Sequence, residues 1–140
     1  SNLKNPYDVL IDGKIKVEAK RRMGQKSQFD ADWLTEVGKN KIVIFTPGMK
    51  PGVPLTLYTI RLPDSTDPTP SATDTIVVKR TKTVTPELFA STLFIQCGAK
   101  YYRVVTLFEY LLVKGLLVPL HNDSPNEQKV ITPIKDKNNP

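Results

Sequence analysis

Residues 6–20 read Pro6-Tyr7-Asp8-Val9-Leu10-Ile11-Asp12-Gly13-Lys14-Ile15-Lys16-Val17-Glu18-Ala19-Lys20, and this pattern decides the fold at this end of the chain. Two apolar-rich runs, 7–11 and 14–19, flank Asp12-Gly13, a strong short-range signal for a β-hairpin. Side chains alternate along a strand, so Glu18 and Lys20 take one face while Val17 and Ala19 take the other. Loop length then sets the register. A two-residue loop pairs Asp8 with Val17 and puts the two carboxylates on opposite faces. A three-residue loop, Asp12-Gly13-Lys14, places Asp8 opposite Glu18 and gathers Val9, Ile11, Ile15 and Val17 on one apolar face. Burial of that apolar set favours the odd loop.

Asp8 and Glu18 at that spacing repel each other unless a cation lies between them. Their hard oxygens suit Mg2+ or Mn2+. A bound ion of that kind activates water and stabilises charge developing on a phosphodiester. Lys20, two residues beyond Glu18, is placed to orient that water or neutralise the phosphate. A solvated hairpin with cross-strand ion pairs shows the same three residues, so spacing by itself leaves both readings open.

The 140 residues, 39% hydrophobic and 24% charged, fit one domain, or one small domain with an appended module. The net charge of +6 points to a polyanionic partner. Residues 1–62 hold eleven Lys/Arg against six Asp/Glu, and residues 75–140 hold nine against five. Between them, 63–74 is rich in Pro, Ser, Thr and Asp and reads as a linker or loop. No apolar run is long enough for a membrane span, and no secretory leader is visible at the N-terminus. The single cysteine, Cys97, excludes an internal disulfide and suits a reducing, cytoplasmic setting. It reads as a small buried residue. His121, in a turn-rich stretch, reads as a surface residue.

Ahead of residue 63 the chain reads as strands. Trp33–Val37 and Lys41–Phe45 flank Gly38-Lys39-Asn40 as a second hairpin, and Leu55–Leu62 and Thr75–Arg80 are further strands. Asp30, Asp32 and Glu36 around Trp33 read as a solvated acidic edge. Thr85-Pro86-Glu87 is a helix start, with a capping side chain, proline at the first helical position and an acid near the positive dipole end. The spacing predicts helices over 86–96 and 101–114, the second closed by Gly115 in a left-handed cap. Two strands, 116–120 and 129–134, follow.

The string from Pro6 to Lys20 resembles the core of the PD-(D/E)XK nuclease superfamily, whose active-site hairpin runs Pro-x-Asp, a short turn, then Glu-x-Lys in an apolar strand. The resemblance implies an α/β (α+β) fold with a mixed-sheet nuclease-like core and an antiparallel active-site hairpin. It also implies a metal-dependent endonuclease hydrolysing DNA, with Asp8, Glu18 and Lys20 catalytic and Asp8 and Glu18 as ligands of Mg2+ (or Mn2+). Gln25 and Gln28 would be accessory residues. The helix that usually precedes this hairpin in the family has no counterpart in the seven residues ahead of Asp8. Residues 85–134 resemble a winged-helix domain. On that resemblance the chain divides into a core at 1–62, a linker at 63–74 and a winged-helix-like segment at 75–140.

Arg21, Arg22 and Lys26 would contact DNA if the hairpin is the platform, and Lys100, Tyr102 and Arg103 if the helix from 101 is. DNA is the expected partner, no membrane partner is expected, and a homodimer stays open. Two rivals remain: a DNA-binding module without catalysis, and an assembly protein using the helix from 101 as an interface.

Overall fold

The hairpin forms with the three-residue loop. Val9–Ile11 (β1) and Ile15–Arg21 (β2) pair antiparallel with Val9 opposite Val17 and Ile11 opposite Ile15. Asp12 and Gly13 both adopt positive φ, 53° and 68°, which the tight turn demands and which Gly meets without steric cost. The computed structural model describes residues 7–21, 27–48, 51–52 and 54–118, and the backbone of 132–133. It forms two units, Ser1–Thr106 and Leu107–Pro140.

The first unit continues with Ser27–Asp30 (β3), a 3-10 helix over Ala31–Glu36, Lys41–Thr46 (β4), Tyr58–Arg61 (β5), Thr75–Val77 (β6), Thr81–Val84 (β7), Pro86–Ala90 (α1), Phe94–Cys97 (β8) and Lys100–Thr106 (β9). Seven strands make one mixed sheet in the order β1-β2-β4-β5-β9-β8-β6, and β3 pairs with β7 in a separate two-stranded sheet. β2 and β4 run parallel, so the chain must cross over between them, and the crossover carries β3 and the 3-10 helix.

One face of the large sheet presents Val43, Phe45, Tyr58, Ile60, Tyr102, Val104, Ile95 and Ile76 to a core completed by Phe29, Leu34, Val84 and Phe89. Phe29 and Phe89 stand against Phe45, with ring centroids 5.1 and 5.2 Å away. The apolar face expected on the hairpin is buried only in part: Val17 is enclosed, whereas Val9, on the edge strand, is 53% exposed.

Several local expectations are corrected. Trp33–Val37 is not a strand, because Asp30 Oδ1 accepts the Asp32 N–H and caps a 3-10 turn there. The helix starting at Pro86 has the expected cap, with Thr85 Oγ1 accepting from the Leu88 N–H, but it ends at Ala90. Residues 94–97 instead pair with β9 on one side and β6 on the other. The predicted helix over 101–114 is a strand as far as Thr106, and only Leu107–Val113 (α2) is helical. Tyr-Tyr-Arg-Val-Val-Thr is a run of strand formers. Gly98, at φ 61°, opens a two-residue hairpin turn that turns β8 back into β9. The recognition helix of a winged-helix domain is therefore not present at 101–106.

The second unit holds α2 and two short strands, Leu117–Val118 (β10) and Thr132–Pro133 (β11), paired antiparallel. Gly115 closes α2 as expected, with its N–H on the Leu112 carbonyl and the Leu116 N–H on that of Leu111. His121 lies outside the described residues. No helix among the described residues is long and apolar enough to cross a membrane.

Residues 63–74 do not divide the chain, since strands from both sides of them join the large sheet. The segment is a pinned loop. Asp67 accepts both terminal nitrogens of Arg61 at 2.8 Å, Arg103 Nε at 3.0 Å and the Asp64 N–H at 2.8 Å. Arg61, then the Asp64 N–H and Arg103, hold its carboxyl down to about 2 against the opposing effect of burial. A depressed folded-state pKa stabilises above the unfolded value near 3.8 and loses that contribution as pH falls through about 2. Denaturant titrations across this window should therefore show wild type losing about 2 kcal/mol relative to Asp67→Asn, which lacks the titrating group. Asp67→Ala should cost about 3–5 kcal/mol near neutrality, because two largely buried guanidinium groups lose the carboxylate they share. Parallel pH profiles for wild type and Asp67→Asn would contradict this account.

Candidate active site

β2 places polar side chains on the core face of the sheet. Glu18 is the register partner of Val43, and Lys20 of Phe45, both fully buried positions. Alternation that sends Val17 to one side thus sends Glu18 and Lys20 to the side carrying the aromatic core. Glu18 is consequently only 4% exposed.

Asp8 immediately precedes β1, one residue beyond the last register pair, Val9 with Val17. Its N–H donates to the Val17 carbonyl and its Oδ2 accepts from the Ala19 N–H, both at 2.8 Å. These two bonds fix the carboxyl against the partner strand. The Ala19 N–H is the main cause holding Asp8 below the usual carboxylate range, and a hydrogen bond with the Glu18 carboxyl adds to it. Glu18 moves the other way. Burial raises it most, followed by the charges of Asp8 and Glu36, while Lys20 and Lys41 pull it down. The two carboxyls shift in opposite directions: Asp8 holds charge and Glu18 resists taking it.

Glu36 and Lys41 complete the constellation. Glu36 ends the 3-10 helix and ion-pairs with Lys20 Nζ at 2.8 Å. Lys41 opens β4, and its Nζ lies 3.7 Å from Glu36 Oε1 and 4.0 Å from Glu18 Oε1. Glu18 and Glu36 thus meet two ammonium groups, and Asp8 adds a third carboxyl whose charge acts on Glu18. Among the described residues no three His, Cys, Asp or Glu side chains are grouped to hold a metal. The donor set for a cation is the Asp8–Glu18 pair, with Glu36 engaged by two lysines. Hard oxygens and the charge repulsion of Asp8 on Glu18 fit a divalent hard cation.

Of the other predicted site residues, Arg21 is exposed at the end of β2, and Arg22, Gln25 and Lys26 lie outside the described residues. Gln28 donates its side-chain N–H to Thr83 Oγ1 across β3–β7 at 2.9 Å, a cross-strand contact within that two-stranded sheet. The proposed helix-end contacts are corrected. Lys100 begins a strand, Tyr102 is buried in the core, and Arg103 is engaged by Asp67. β4 and β5 separate their strand from β2. Sequence reasoning took Glu36 for a solvated edge and gave Lys41 no role. The available signal was a lysine heading the otherwise apolar run Lys41-Ile42-Val43-Ile44-Phe45.

Carboxyl-resolved NMR titration of Glu18 checks the network. Lys41→Gln should move Glu18 further up and Asp8→Asn should move it down, because each removes one of the named charges. A Glu18 titration indifferent to both would show that the cluster is not electrostatically joined. In comparisons with protein-family models, curated proteins and solved structures, nothing matches this chain.

Proposed function

We propose that this protein is a metal-dependent endonuclease that hydrolyses DNA phosphodiester bonds at Asp8, Glu18 and Lys20. The observation carrying the reading is the anchoring of Asp8 by the Ala19 N–H, beside the buried Glu18, on a hairpin whose next core-facing residue is Lys20. The mixed sheet with an antiparallel hairpin at its edge suits the nuclease-like core named by the sequence resemblance.

Mg2+ or Mn2+, when bound, supplies Lewis acidity and lowers the pKa of coordinated water. Asp8 offers its carboxylate already ionised and fixed by the Ala19 N–H. Glu18 offers the second carboxylate from a largely dry position, where electrostatic interactions are strengthened. Lys20, held by Glu36, keeps its ammonium on the same face to orient water or offset phosphate charge. DNA is the substrate class favoured by the positive net charge of the chain. The single cysteine suits a cytoplasmic, reducing setting for such an enzyme.

Asp8→Asn, Glu18→Gln and Lys20→Ala should each lower Mg2+-dependent cleavage of DNA about 100-fold or more, with folding checked by circular dichroism. Undiminished cutting by Glu18→Gln, with the same metal dependence, would place the active site elsewhere.

A further inference from the structure

We propose that the exposed segment Lys79–Thr83, which leads into β7 of the β3–β7 sheet, is the track that holds the DNA phosphate backbone and leads it to the Asp8–Glu18–Lys20 site. The location of the site rests on the nuclease reading; the track itself does not.

Lys79, Arg80 and Lys82 fall within four residues, and the run from Thr75 to Pro86 contains no acid. All five residues from Lys79 to Thr83 are exposed. The nearest carboxylates by register are Asp30, opposite Thr81, and Asp32 beyond it. Asp30 is committed to the Asp32 N–H at the 3-10 helix. Among the described residues, the bases at 79, 80 and 82 have no salt bridge to either acid. The β3–β7 pair is anchored in the core: Phe29 and Val84 are fully buried, and Ser27 Oγ accepts from the Gly48 N–H at 2.7 Å. The basic strand is therefore rigidly mounted.

Its position relative to the site follows from three contacts. Lys82 is the register partner of Phe29, the Phe29 ring stands 5.1 Å from that of Phe45, and Phe45 is the register partner of Lys20. Two strand spacings and one layer spacing put Lys82 and Lys20 at most about 20 Å apart in backbone terms. That is roughly six base pairs of duplex, less than one helical turn. Thr81, between the bases, and Thr83, just beyond them and bonded by Gln28, add polar side chains, the Thr81 hydroxyl being of the kind that contacts phosphates. They provide no apolar face to insert into a bilayer. These features favour a nucleic-acid backbone over an anionic membrane.

The test measures duplex DNA affinity against salt without divalent metal, for wild type, Lys79→Gln/Arg80→Gln/Lys82→Gln, Lys79→Arg/Lys82→Arg and Glu18→Gln. The triple glutamine variant should bind roughly 100-fold more weakly at about 0.1 M salt, and the log–log salt slope should shrink by about 2–3. The arginine variant should keep affinity and slope, and Glu18→Gln should bind no more weakly than wild type. Unchanged affinity and slope in the triple variant would overturn the track. If that variant also cuts normally with Mg2+, the nuclease reading stands without it. Wild type that binds through these residues and never cuts would keep the track and sink the nuclease reading. Absence of DNA binding, with residues 79–82 instead governing sedimentation with phosphatidylserine vesicles, would overturn the track in favour of a membrane surface.

Discussion

Parallel pairing of β2 with β4 is the constraint on which the rest of the site depends. It sets Glu18 beside Val43 and Lys20 beside Phe45, on the face where the aromatic core is assembled. A carboxylate in that position gives up much of its hydration, and only hydrogen bonds or opposite charges restore the balance. Asp8, Glu36 and Lys41 converge there from three separate elements. Removing β4 from this register would turn a preorganised cluster into ordinary surface polarity.

The same sheet separates two kinds of charged cluster. Around Asp67, two arginines converge on one carboxylate through directed hydrogen bonds, pinning a loop that composition alone presents as a tether. Around Glu18, burial and then the charges of Asp8 and Glu36 hold the carboxyl short of easy ionisation. The first arrangement satisfies its charges internally. The second sets a carboxyl where burial and neighbouring carboxylates oppose its ionisation, and this perturbation distinguishes a candidate site from a structural ion pair.

Local signals in the sequence were reliable where the physics is local. The Asp12-Gly13 turn, the choice of a three-residue loop by apolar pairing, the Thr85-Pro86 helix start and the Gly115 cap all depend on a few neighbouring residues, and all are present. Failures came where tertiary pairing outweighs local pattern. Residues 101–106 match a helical period, yet strand propensity and partners on both sides make them strand. The Pro-rich loop looked like a linker because nothing nearby in sequence reveals that Arg103 reaches Asp67. Asp8, Glu18 and Lys20 were legible because one hairpin carries all three. Glu36 and Lys41 were not, since their approach depends on a crossover of some twenty residues.

The central claim is that the Asp8–Glu18 pair, set on the core face by strand register, receives a hard divalent cation. Titrating Mn2+ at substoichiometric amounts into isotope-labelled protein, and following paramagnetic broadening of backbone amide signals, tests this directly. The account predicts that Asp8, Glu18, Ala19 and Lys20 broaden first, and that Asp8→Asn/Glu18→Gln abolishes the effect. Broadening that begins instead around Asp64 or Asp74, or that survives the double substitution unchanged, would contradict it.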